Sequence, residues 1–157
     1  MLTQPRRVCL NRAVPDPASI EAVRAAVEAI VPARGDRPGG AELHVHVHVV
    51  DALDRFLPGF VDLTAMLLGA YAVDVRPGAS FTELTAEERT EVLRAMSLED
   101  NPDMRDIVDG LLVFTYGGMY SEWSGYEREA GALRPPRAWE AVGFHGPSEG
   151  HPDYRES

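Results

Sequence analysis

Residues Leu43–Val50 read LHVHVHVV, and two periodicities compete for them. At a spacing of two, His44, His46 and His48 share one face while Val45, Val47 and Val49 share the other, the alternation of a half-buried strand. That pattern stops at Val50. At helical spacing, Leu43, Val47, Val50, Leu53 and Leu57 follow in steps of four, three, three and four, and His44, His48, Asp51 and Arg55 segregate onto another face. The helical pattern explains all 15 residues from Leu43 to Leu57, so it predicts a helix despite the β-branched valines. On that helix His46 falls among Val50, Leu53 and Leu57, where it is partly buried and needs a hydrogen bond.

Outward from this segment the other signals are also helical. Asp16 and Pro17 cap and open a helix in which Ile20, Val23, Val27, Ile30 and Val31 recur, and Pro32 ends it. The ARGDRPGGA stretch that follows, residues 33–41, is a loop by composition. Beyond the break at Pro58 and Gly59, a further helix places Val61, Met66, Leu67, Leu68 and Tyr71 at apolar positions. After a turn at RPGAS, Thr85 and Glu88 form a capping box ahead of Val92, Leu93 and Met96. Asn101 and Pro102 open a long helix through Met104, Ile107, Val108, Leu111, Leu112 and Thr115; Gly110 is expected to receive a close neighbour, and Gly117 with Gly118 to end the helix.

The predicted fold is therefore all-α, an irregular bundle of about five helices with a long aromatic, Gly/Pro-rich C-terminal arm. Its expected divisions are a tail at 1–15, the bundle at 16–119 and the arm at 120–157. The 157 residues, 45% of them hydrophobic, suffice for a core without staples. The single cysteine, Cys9, excludes an intrachain disulfide and a four-cysteine zinc site. A formal charge of −10 opposes the phosphate neutralisation that nucleic acids and anionic membranes require. No apolar run reaches the roughly 20 residues of a membrane span. Arg6 and Arg7 form a twin arginine without a following apolar segment, so the expected location is cytoplasmic, with export alongside a partner as the alternative.

Self-contained chemistry finds little support. Neither GxGxxG nor GxxxxGK[ST] occurs, and Cys9 has no framework to position a base. A histidine metal site using His44, His46 and His48, joined by His145 and His151, is the enzymatic alternative. It lacks the acid that metalloprotease helices place after the first histidine, because position 45 is valine. The arm is the stronger signal. Together with the end of the helix before it, it holds Tyr116, Tyr120, Trp123, Tyr126, Trp139, Phe144 and Tyr154 among glycines and prolines, so it is either wrapped over its own core or laid on a partner.

Five pieces then occur in a familiar order: IVP at Ile30–Pro32, VVDALDRFL at Val49–Leu57, FTELTAEERTEVLRAM at Phe81–Met96, TYGGMYSE at Thr115–Glu122, and AWEAVGFHGP at Ala138–Pro147. Together they resemble the small third subunit of the gluconate 2-dehydrogenase family, over about residues 17 to 147. The resemblance implies a cofactor-free helical subunit that clasps and stabilises a large FAD-dependent catalytic subunit of the glucose-methanol-choline class. It places the flavin and the catalytic groups in that partner, with electrons passing on to a cytochrome. Its expected partner contacts are Tyr116, Tyr120, Trp123, Tyr126, Trp139, Phe144, His145 and Pro147, because large aromatics bury the most area per immobilised torsion. The LHVHVHVV histidines lie outside the family pattern and are either idiosyncratic surface or a pH-responsive partner contact. An autonomous helical interaction module is the remaining alternative.

Overall fold

The computed structural model describes residues 14–121, 126–127, 132–133 and 136–144. Among them are six α-helices: α1 (Pro17–Ile30), α2 (Val45–Phe56), α3 (Phe60–Val75), α4 (Ala86–Ser97), α5 (Pro102–Tyr120) and α6 (Arg137–Val142). Strands β1 (Tyr126–Glu127) and β2 (Ala132–Leu133) form a short antiparallel pair, Tyr126 opposite Leu133.

The helix ends follow local chemistry. Asp16 accepts from the Ala18 amide at 2.7 Å with Pro17 in the first turn, and Asn101 does the same for Asp103 at 3.0 Å ahead of α5. At α4 the capping box is complete: Thr85 Oγ1 accepts from the Glu88 amide at 3.3 Å, and Glu88 Oε2 accepts from the Thr85 amide at 2.7 Å. Each cap satisfies amides that have no partner inside the helix.

α1 lies at the centre, against α3, α2 and α4, with α5 closing the bundle on α2 and α4. The core is aliphatic, with Val23, Val27, Leu53, Leu68, Met96 and Leu111 all buried. Each such side chain contributes about 1.5–3 kcal/mol by leaving water. Ile107, Val108, Leu111 and Thr115 face it from α5, and Val92, Leu93 and Met96 from α4, as the spacing predicts. Arg89 adds a polar tie. Its guanidinium meets Glu28 of α1 at 2.8 Å and the Thr82 carbonyl at 2.7 Å, joining α4, α1 and the 3-10 turn Phe81–Glu83.

LHVHVHVV is helical from Val45 onward, but its buried face is not the expected one. Val45, Val49 and Leu53 turn fully inward, while Val47 and Leu57 stand 44% and 54% exposed. Valines at 45, 47, 49 and 50 give the first half of α2 apolar surface on several sides, so its neighbours select the buried face. His44 enters the helix with a left-handed backbone, φ 54°, a conformation histidine tolerates better than most residues. On α3, Met66 is likewise exposed rather than buried, and Thr64 takes an inward position.

The close helix contact is also displaced from its expected place. A Cβ on Gly110 meets only the Phe114 ring at 4.0 Å, whereas one on Gly118 meets His48 Cδ2 at 2.8 Å and Val45 Cγ1 at 3.0 Å. α5 runs on to Tyr120, so Gly117 and Gly118 do not end it; Gly118 instead lets α2 cross. α2 and α5 run in opposite directions, with His48 meeting Gly118 and Phe56 leaning on Phe114 at 5.5 Å between ring centres. Among the described residues no single helix is long and apolar enough to cross a membrane; α2 and α3 reach that length only as a pair bent by 112°.

Candidate partner-binding face

α5 has two apolar faces. One is the core side just described. The other carries Val113, Tyr116 and Tyr120 in steps of three and four, and these stand 65%, 46% and 45% exposed. Isolated surface apolar residues need no explanation, but a row at helical spacing is a contiguous patch.

α6 extends this patch. The Trp139 indole N–H donates to the Tyr120 carbonyl at 2.6 Å, occupying a C-terminal carbonyl of α5 that has no partner within its own helix. The Trp139 ring meets Phe144 edge-on, 5.0 Å between centres at 81°. Gly143 adopts φ 70° and ends α6, and the Phe144 amide returns to the Trp139 carbonyl at 2.8 Å. Ala138 and Pro136 are buried beneath, while Val142 and Phe144 face outward. Trp139 is thus a half-buried post that meets Phe144 with its ring and the end of α5 with its indole N–H.

Between this post and the end of α1 runs a groove of about 280 Å³, with Ile30, Val31, Tyr116, Met119, Tyr120 and Val142 on its walls. Arg34 and Arg37 line its rim on a tight turn where their backbones bond reciprocally at 3.0 Å. Just beyond the turn the chain is pressed onto α1, since a Cβ on Gly40 would stand 2.8 Å from Val27 Cγ1. The groove is therefore apolar and aromatic with a cationic edge, on a chain that is acidic as a whole.

Of the expected contacts, Tyr116, Tyr120, Trp139 and Phe144 come together on this one face. Tyr126 lies on β1, and Trp123, His145 and Pro147 fall outside the described residues. Val113, Val142 and the Arg34–Arg37 turn were not singled out in the sequence. The spacing 113, 116, 120 was available as a signal, but in a helix with two apolar sides it does not say which one is covered.

The histidines of α2 diverge. His46 faces α1, where burial, then the Arg24 charge and His44, hold its imidazole below the ordinary range, and its Nδ1 is buried without a hydrogen-bond partner. The partial burial is as expected; at Nδ1 no described residue supplies the expected hydrogen bond. His48 lies on Gly118 of α5, and His44 is exposed with its ring 5.9 Å from that of His46. His44, whose left-handed backbone precedes the helix, sets its ring near that of His46, while His48 turns onto α5, so the three imidazoles do not converge. Among the described residues no group of three or more His, Cys, Asp or Glu side chains is placed to hold a metal ion.

The described residues thus form a helical bundle with an exposed aromatic row on α5 and α6 tied to the end of that helix. Residues 17–146 match the sequence profile of the family described as gluconate 2-dehydrogenase subunit 3, and the chain belongs to that family. It is thereby placed among subunits of a dehydrogenase complex. Neither the curated proteins nor the solved structures yield a match.

Proposed function

We propose that this chain is the non-catalytic small subunit of an FAD-dependent sugar or alcohol dehydrogenase, docking through its α5–α6 face on a large subunit of the glucose-methanol-choline class. The observation that carries the reading is the exposed row Val113, Tyr116 and Tyr120, continued by Phe144 on the Trp139 post. Tyrosine and phenylalanine so placed are the residue types that supply binding energy at protein interfaces. Family membership supports the dehydrogenase context, and the missing GxGxxG in this sequence supports placing the flavin in the partner. Covering this face stabilises the large subunit while it folds, and electrons leave the flavin for an acceptor outside this chain.

Co-expression with a large FAD-containing subunit of that class tests the reading. The two chains are expected to purify together as a yellow complex. Replacing Tyr116 and Tyr120 together by alanine is expected to weaken the complex by about 2 kcal/mol or more, roughly thirtyfold in Kd. A chain that elutes without a flavin-bearing partner, or a double variant that binds as tightly as the wild type, overturns the proposal.

A further inference from the structure

α3 has a second uncovered face, on a different side of the bundle. The helix reads FVDLTAMLLGAYAVDV and carries no lysine, arginine or glutamate, with Asp62 and Asp74 as its only charges. Its inward row, Val61, Thr64, Leu68 and Ala72, is fully buried against the bundle. The opposite row is just as apolar. Leu63, Met66, Ala70 and Val73 recur in steps of three, four and three, with Met66 62% and Val73 50% exposed. A helix that is apolar all round is ordinarily covered all round, and among the described residues this one is covered on one side only.

The spacing fits a helix as occupant. Steps of three and four repeated along one edge form the narrow seam into which a second helix packs at a shallow angle. From Leu63 to Val73 the seam runs about 15 Å, two to three turns. Ala70, with Gly69 beside it, leaves its middle low enough for close approach.

Charge decides what that helix carries. At one end of the seam stand Asp62 and Asp16, whose amide donates to the Asp62 carboxylate at 3.1 Å. At the other, Asp74 and Glu99 both act on the Tyr71 hydroxyl, placing two carboxylates on neighbouring elements. Arg76, the base that follows α3, is already taken by Glu88 at 3.2 Å and by the Glu83 carbonyl. Both ends are acidic. A second copy of this chain, itself at −10, would bring carboxylates against carboxylates.

We infer that the Leu63–Met66–Ala70–Val73 seam is a docking site for an amphipathic helix of another subunit of the dehydrogenase complex, one whose apolar edge is flanked by lysine or arginine. The inference rests on membership in the subunit family and on the α3 face, and not on the use made of α5 and α6. α1, α2 and α4 lie between the two faces, so each is tested alone.

The test replaces Met66 by the photo-crosslinker p-benzoylphenylalanine in the full-length chain, irradiates cells that make the whole complex, and sequences the attached peptide. The expected product is a peptide from another complex subunit with apolar residues three and four apart and lysine or arginine beside them. Met66→Glu is expected to abolish that contact while leaving the melting temperature unchanged, because the side chain is exposed. Converting Asp62 and Asp74 together to lysine is expected to slow association about tenfold at low salt, with the difference shrinking as salt is raised. Attachment to a second copy, to lipid, to a peptide without basic residues, or to nothing overturns the inference. None of those outcomes alters the result expected for Tyr116 and Tyr120.

Discussion

Gly117 and Gly118 are neighbours in one helix and respond to different surroundings. A Cβ on Gly117 meets nothing within 4 Å, so Gly117→Ala is expected to raise stability by about 0.5–1 kcal/mol through helix propensity alone. The same change at Gly118 drives a methyl to 2.8 Å from His48 and 3.0 Å from Val45. Overpacking of that kind costs about 1–3 kcal/mol and outweighs the propensity gain. Urea unfolding of the two variants should shift in opposite directions. His46 supplies a pH signature. Its folded imidazole is held below the ordinary 6.5, first by burial and then by Arg24 and His44, with Glu21 opposing. The unfolded chain therefore takes up a proton first as the pH falls. The stabilisation is complete above the ordinary value and is lost as the pH drops from there through the folded value. Comparing urea midpoints of wild type and His46→Gln between pH 7.5 and pH 5 should show a steeper acid loss in the wild type.

At the scale of elements, the helix starts were legible because their causes are local. Asp16–Pro17, Thr85–Glu88 and Asn101–Pro102 cap their helices through hydrogen bonds spanning two or three residues, and a sequence displays those spacings directly. Thr85→Ala is accordingly expected to cost about 1 kcal/mol, read as a lowered urea midpoint with unchanged slope. The facing of α2 was not legible. Four valines within six residues give it apolar surface on several sides, and the choice of Val45 and Val49 over Val47 comes from the crossing at Gly118. Gly110 offered the same small residue to a reader of the sequence, but no helix crosses there.

For the whole molecule, Arg89 shows how contacts distant in the chain hold the layers together. Its pair with Glu28 is half in water and is worth at most about 1 kcal/mol. The bond to the Thr82 carbonyl, from a guanidinium that is 14% exposed, is the larger contribution, because its loss leaves a carbonyl of the 3-10 turn without its charged donor. Arg89→Ala should therefore destabilise by about 2–3 kcal/mol. Arg89→Lys should recover little of this, since an ammonium does not span Glu28 and Thr82 as the fork does. Thermal unfolding monitored by circular dichroism checks both.

The candidate site divides along the same line. Its tyrosines, tryptophan and phenylalanine stood out as too aromatic for a linker, and the order of motifs pointed to the family. By itself the sequence determined the five helices of the bundle, three of their caps and the absence of a dinucleotide-binding fingerprint, because each of these depends on residues within a few positions of one another. Only the tertiary structure decided which apolar row of α3 and α5 is core and which is left uncovered, since burial belongs to the neighbour a side chain meets and that neighbour lies elsewhere in the chain.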